Sequence, residues 1–177
     1  MKILLLGPQG SGKSTQGKLL AEYFKTPFIV TGDILREIAS SDTEKGKRIK
    51  QLLTAGNLVD DETVAKLIRE RIERDDSRNG FILDGYPRTL EQAKKVEDLN
   101  FDKAIYFKVS QDVALDRLLK RGREDDTKDL IKKRLEIYFE QTEPLLKYYK
   151  NKGILLEISG EGEIKDIQDS LREGLNK

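Results

Sequence analysis

The chain has 177 residues, which at about 150 residues per domain makes one compact domain with room for an insertion. Its 33 Lys and Arg offset 32 Asp and Glu to a net charge of +1, so no global field holds nucleic acid or an anionic membrane, and any phosphate must be gripped locally. It has no Cys and no His, which excludes disulfides, thiol or histidine catalysis and the usual zinc sites, and leaves the chemistry to Asp, Arg, Lys, hydroxyls and backbone.

The first apolar run, Ile3 to Leu6, stops at Gly7 and Pro8. It is far too short for a signal-peptide core or a membrane span, and it predicts a buried strand in a soluble, cytoplasmic protein. Gly7-Pro8-Gln9-Gly10-Ser11-Gly12-Lys13-Ser14 follows at once and fits G-x-x-x-x-G-K-[ST], between that strand and a helix predicted over Lys13 to Phe24. Glycines let successive N–H groups, here those of Gly10, Ser11 and Gly12, curl around a phosphate without Cβ clashes. The helix N-terminus adds positive potential, and Lys13 reaches the β and γ oxygens of a bound nucleotide. Ser14 then brings a hydroxyl near Mg²⁺, and Thr15 lies close to the α-phosphate.

Phe28 to Val30 is the second strand candidate and Phe81 to Leu83 the third. Between them, Thr31 to Arg78 holds helical segments at Gly32 to Ile38, Thr43 to Leu53 and Glu62 to Glu73, where one crossover helix would suffice. That excess predicts a helical insertion carrying a substrate site. The third strand runs into Asp84, and a carboxylate at the C-terminal end of a parallel strand lies beside the phosphate loop in such folds, where it can hold Mg²⁺ through water.

A helix over Leu90 to Asp98, a strand over Ala104 to Val109, helices over Asp112 to Arg121 and Lys128 to Tyr149, a strand over Ile154 to Ile158 and a helix over Ile164 to Leu175 complete the pattern. Short apolar runs separated by amphipathic segments predict an α/β fold: a parallel five-stranded sheet flanked by helices, like that of the phosphate-loop NTPases. The marks of a GTPase are absent. Asn151-Lys152 is followed by Gly153-Ile154, and no Gly has an Asp three residues before it.

Asp84-Gly85-Tyr86-Pro87-Arg88-Thr89-Leu90-Glu91-Gln92-Ala93, taken with the phosphate loop, resembles the adenylate kinases, and the resemblance covers essentially the whole chain. Thr31-Gly32-Asp33-Ile34-Leu35-Arg36 resembles the family's monophosphate-binding segment, and Gly56-Asn57-Leu58-Val59-Asp60-Asp61 its closing G-x-x-V-x-D segment. Arg117 to Asp126 resembles the stretch with arginines on either side of the lid, Lys132 to Glu136 the helix after it, and Gly160-Glu161-Gly162 the turn against the ATP adenine.

The resemblance implies reversible transfer of the γ-phosphoryl of Mg-ATP to AMP, giving two ADP, by a monomer without zinc, nucleic acid or membrane partners. It implies Lys13, Arg88, Arg123 and Arg134 as catalytic cations, and Arg117, Arg121 and Gly162 beside the phosphate loop on ATP. On AMP it implies Thr31, Arg36, Asn57, Leu58, Val59, Gly85, Arg88, Gln92, Arg123 and Arg134, and it puts Ser14 and Asp84 on the metal. Residues 31–60 would be the AMP-binding insertion, and residues 122–127 a minimal lid, too short for a core of its own. The family usually has Gly where this chain has Ser14.

The residue chemistry agrees independently. Two anionic substrates must be held together against their repulsion, and Arg offers a planar, permanently charged fork matched to phosphate oxygens. Phosphoryl transfer is mainly positioning and charge stabilisation, so the lack of His is no obstacle. A pyrimidine monophosphate kinase shares most of these marks, but such relatives tend to carry Asn after the Pro-Arg pair, where this chain has Thr89. A nucleotide sensor without turnover would be expected to lack one of the Lys, Asp or Arg, and none is missing.

Overall fold

In the computed structural model, which describes residues 1–55, 59–121, 128–142 and 144–176 (save the side chains of 121, 130, 134 and 139), the apolar runs become strands. These are β1 (Lys2–Leu6), β2 (Phe28–Val30), β3 (Phe81–Asp84), β4 (Lys103–Lys108) and β5 (Leu155–Ser159). They form one sheet in the order β2-β3-β1-β4-β5, parallel throughout, with Leu4 opposite Leu83 on one side and Ala104 on the other.

Helices cover both faces, so the central strands need apolar side chains in both directions and read as unbroken runs. Ile3 and Leu5 point to one face, with Ile105 and Phe107, against Leu20 of α1 (Lys13–Phe24). A helix near the C-terminus, Ile164–Leu175, adds Ile167 and Leu171 to that face. Leu4 and Leu6 point the other way, with Tyr106, Leu145 and Tyr149. Ile3, Leu4, Ile82 and Leu83 are fully buried, each worth about 1.5–3 kcal/mol relative to an exposed side chain.

Between β2 and β3 come α2 (Thr31–Ala39), α3 (Glu44–Thr54) and α4 (Asp61–Ile72). Thr43 and Asp60 start the latter two as N-caps, accepting from the amides of Gly46 (3.0 Å) and Thr63 (2.9 Å). Val64 and Ile68 of α4 pack with Ile29 and Leu83 of the sheet. Next are α5 (Leu90–Lys95), α6 (Gln111–Arg121), α7 (Lys128–Ile137), α8 (Pro144–Asn151) and α9, the Ile164–Leu175 helix. Among the described residues no helix is long and apolar enough to cross a membrane.

Two predicted helices are shorter than their sequence pattern suggests. The one expected over Leu90 to Asp98 ends at Lys95, and a 3₁₀ turn follows over Glu97–Leu99. The Lys95 carbonyl, which the next α-helical turn would use, instead accepts from Arg69 Nη2 of α4, while Leu99 N donates to Val96 O at 3.1 Å. The helix expected over Lys128 to Tyr149 stops at Ile137, passes through a π turn at Tyr138–Thr142 and restarts at Pro144. Proline has no amide hydrogen and its ring clashes with the carbonyl four residues back, so it opens a helix far more readily than it continues one.

The sheet order reverses at β1, between β3 and β4. Open α/β sheets bind ligands in the crevice beyond the C-terminal ends of the strands at such a switch point. The Gly7–Gly12 loop leaves β1 there, and Asp84 closes β3 beside it.

Candidate active site

Steric demands shape the loop after β1. Gly10 and Gly12 have φ of 82° and 88°, and a Cβ on Gly10 would stand 2.6 Å from the Ala114 carbonyl oxygen. Gly12 begins α1 with no side-chain cap, which leaves the first-turn amides to the loop and to a ligand. Ser11, 1% exposed, donates its own N–H to Pro8 O at 3.2 Å. Lys13 Nζ donates to Gly7 O (2.6 Å), Pro8 O (2.8 Å) and Ser11 Oγ (3.4 Å), so all three ammonium hydrogens serve its own loop. Burial lowers its pKa from 10.5 to about 8, with Asp84 pulling it back up and Arg88 adding to the fall.

Asp84 joins two halves of the crevice. Its Oδ2 accepts from Ser14 Oγ at 2.8 Å, and its backbone oxygen accepts from Thr31 Oγ1 at 3.2 Å. Asp84 is 5% exposed, and Ser14 and Thr15 lie on the open side of α1. A hydroxyl and a carboxylate are the hard oxygen donors that Mg²⁺ takes, so the donor set fits that ion.

Beyond Asp84 the chain turns at Gly85 (φ 95°), where a Cβ would meet Thr31 Cβ at 3.6 Å and Arg88 Nη2 at 3.8 Å. The Tyr86–Pro87 bond is cis. Arg88 Nε donates to Gly85 O at 2.9 Å; the residue is exposed at the crevice, and desolvation by the surrounding protein lowers its pKa from the usual arginine value against the pull of Asp84. Gln92 Oε1 accepts from the Arg88 amide at 2.6 Å, and its Nε2 donates to Asp61 Oδ1 at 2.7 Å. Arg36, one turn into α2, is exposed and paired with Asp33. Val59, just before α4, is 8% exposed.

On the other side of the phosphate loop, Arg117 Nη1 of α6 donates to Gly160 O (2.8 Å) and Gly10 O (3.3 Å), bracing the loop against the turn after β5. That turn is further held by Gly160 N to Lys108 O (2.8 Å) and by Ser110 N to Glu161 Oε1 (2.7 Å). Gly162 follows at φ 114°.

The structure thus gathers Lys13, Ser14, Thr31, Asp84, Gly85 and Arg88 at the ends of β1 and β3, with Gln92 on one flank and Arg117 on the other. Asn57 and Leu58, the 122–127 segment with Arg123, and the side chains of Arg121 and Arg134 lie outside the described residues. Sequence reasoning missed Asp61 as a working part, and it placed Gly160 and Glu161 in the turn against the adenine without their contacts to Arg117 and Ser110. Asp61 stood in plain view as the last residue of the G-x-x-V-x-D segment, and only its contact with Gln92 singles it out.

Comparison with known proteins points the same way. The family model for adenylate kinase matches residues 5–154. An adenylate kinase of Corynebacterium urealyticum is 44% identical, with 100% of both chains covered. One of Nocardia farcinica is 39% identical, again over 100% of both, and one of Caldicellulosiruptor saccharolyticus is 36% identical over 99% of both. Full-length similarity at this level, on a sheet whose switch point carries the phosphate loop and Asp84, establishes that the chain belongs to the adenylate kinase family.

Proposed function

We propose that this protein transfers the γ-phosphoryl group of ATP to AMP, reversibly and with Mg²⁺, forming two ADP. The observation that carries the reading is the double role of Asp84, whose carboxylate takes the phosphate-loop hydroxyl of Ser14 while its carbonyl takes Thr31 at the start of α2. A donor nucleotide on the loop and an acceptor beside Thr31 then meet over one residue.

The Gly10–Gly12 turn, braced by the Ser11 amide on Pro8 O, cradles the ATP phosphates with the backbone amides of Gly10 and Gly12, and Thr15 lies by the α-phosphate. Lys13 leaves its loop carbonyls for the β and γ oxygens, where its charge is better matched. Ser14 and Asp84 would hold Mg²⁺, which would neutralise phosphate charge when bound. Arg117 and Arg121 lie over the ATP phosphates, and Gly162 belongs to the turn against the adenine.

On the acceptor side Arg36 exchanges Asp33 for the AMP phosphate, and Thr31, Gly85 and the 57–59 backbone line the nucleoside. Gln92 faces the base. Arg88, with Arg123 and Arg134, spreads positive charge over the phosphoryl in flight, and positioning does the rest. The 31–60 segment closes on AMP, and residues 122–127 form a minimal lid that brings arginines over the phosphates and excludes water. In this reading the enzyme is a cytoplasmic monomer.

The test is phosphorus NMR of ATP and Mg²⁺ mixed in turn with AMP, UMP, CMP and GMP. Two ADP from ATP and AMP, with AMP the preferred acceptor and Lys13→Met slower by about 10³-fold or more, is the expected result. Faster turnover of UMP or CMP would make it a pyrimidine monophosphate kinase. Release of inorganic phosphate alone would remove the transferase reading.

A further inference from the structure

The Gln92 carboxamide sits between two neighbours that admit only one orientation. The Asp61 carboxylate can only accept, so Nε2 faces it at 2.7 Å, and the Arg88 amide can only donate, so Oε1 faces it at 2.6 Å. Turning the amide over would set carbonyl against carboxylate and N–H against N–H. Of the two hydrogens and two lone pairs that a Gln amide offers, one hydrogen and one lone pair remain. A donor and an acceptor on one amide complement the adenine edge, which presents a ring-nitrogen acceptor beside an amino donor. Hypoxanthine presents the reverse, a ring N–H beside a carbonyl.

Asp61 is itself held. It lies in the first turn of α4, where the helix N-terminus favours its negative charge, directly after the cap made by Asp60. Its carbonyl accepts from the hydroxyl of the buried Tyr86 at 3.4 Å. At the far end α4 is tied by Arg69 Nη2 to Asp98 Oδ1 at 2.8 Å. The Gln92 backbone is fixed as well, because its amide donates to the α5 cap, Thr89 Oγ1, at 3.2 Å.

We propose that Asp61 is a positioning residue for base selection: it locks the orientation of the Gln92 amide so that the free donor and acceptor match adenine and oppose hypoxanthine. This rests on the reading of Gln92 as the residue facing the acceptor base. The bland alternative, a tie between α4 and α5, accounts for the contact but not for any selectivity.

The two are separated by measuring kcat/KM for AMP and for IMP, which differs at this edge, in the parent, Asp61→Asn, Asp61→Ala, Gln92→Ala and the Asp61→Asn/Gln92→Ala double variant. The near-isosteric Asn can donate as well as accept, so the lock is lost without loss of volume. The AMP-to-IMP ratio is expected to fall at least about tenfold, or 1.4 kcal/mol, in both Asp61 variants, mainly through KM. In the double variant it should fall no further than in Gln92→Ala. Should Gln92→Ala lower the ratio while both Asp61 variants keep it within about twofold of the parent and slow AMP and IMP alike, the lock is refuted and the tie stands. Should Gln92→Ala itself leave the ratio unchanged, the base-reading role of Gln92 fails and the lock with it.

Discussion

Replacing Gln168 by Leu probes the seam between the helix that carries the phosphate loop and the C-terminal helix. Gln168 of α9 and Gln16 of α1 are 4% and 2% exposed. Gln168 Nε2 donates to Gln16 Oε1 at 2.6 Å and to Gln16 O at 2.9 Å, and Gln16 Nε2 donates to Ile164 O at 3.1 Å. One turn further along α9, Arg172 lies over the Tyr23 ring of α1 at 4.4 Å. Leu at position 168 removes two hydrogen bonds, each worth about 1 kcal/mol net, and leaves Gln16 Oε1 buried and unpaired at a cost of about 1–3 kcal/mol. Against this, Gln168 Oε1 is buried without a partner, and its removal returns about 1–3 kcal/mol. The two desolvation costs roughly cancel, which leaves about 2 kcal/mol of destabilisation.

Gln16→Leu together with Gln168→Leu removes both amides and should come close to the parent, because an apolar pair of similar shape leaves no orphan. Urea unfolding of the parent, the two single variants and the double variant closes the cycle. The expected coupling is about 1–3 kcal/mol, with the double variant more stable than Gln168→Leu alone. The turn at 160–162 leads into α9, so the KM for ATP should rise in Gln168→Leu and recover in the pair. Additivity within about 0.3 kcal/mol, or a Gln168→Leu variant at least as stable as the parent, would refute the reasoning.

Two further outcomes follow from the phosphate loop. Burial lowers the Lys13 pKa from 10.5 to about 8, so between those values the unfolded chain binds more protons than the native one, and this group's contribution to stability rises with pH across the window. The ligand-free protein should therefore gain on Lys13→Met in urea midpoint between about pH 8 and pH 10, and a flat difference would mean that the ammonium is not desolvated. Gly160→Ala places a Cβ 2.7 Å from Ser11 O and 2.8 Å from Val109 Cγ1, forcing the turn away from the phosphate loop. A rise in the KM for ATP of at least about fivefold with little change for AMP is expected from steady-state kinetics, and equal effects on both would argue against it.

The fold was legible because its signals are local. Unbroken apolar runs mark strands buried on both faces, and the phosphate-loop glycines are demanded by the positive φ of Gly7, Gly10 and Gly12. The break before Pro144 was missed, because the apolar pattern on either side reads as one helix; the proline, which opens a helix far more readily than it continues one, was the local signal for it. The early end of α5 has no such local signal, because it depends on Arg69 reaching a carbonyl 26 positions away. The same holds within the crevice. The sequence by itself named Lys13, Asp84, Arg88 and Gln92. Tertiary structure alone decided that Lys13 rests on its own loop, that Arg117 bridges to Gly10 across 107 positions, and that Asp61, 31 positions away, orients Gln92. Local patterns follow from sterics and solvent exposure along a few residues, whereas a side chain's distant partner is set by how helices pack across the sheet, which no short stretch of sequence encodes.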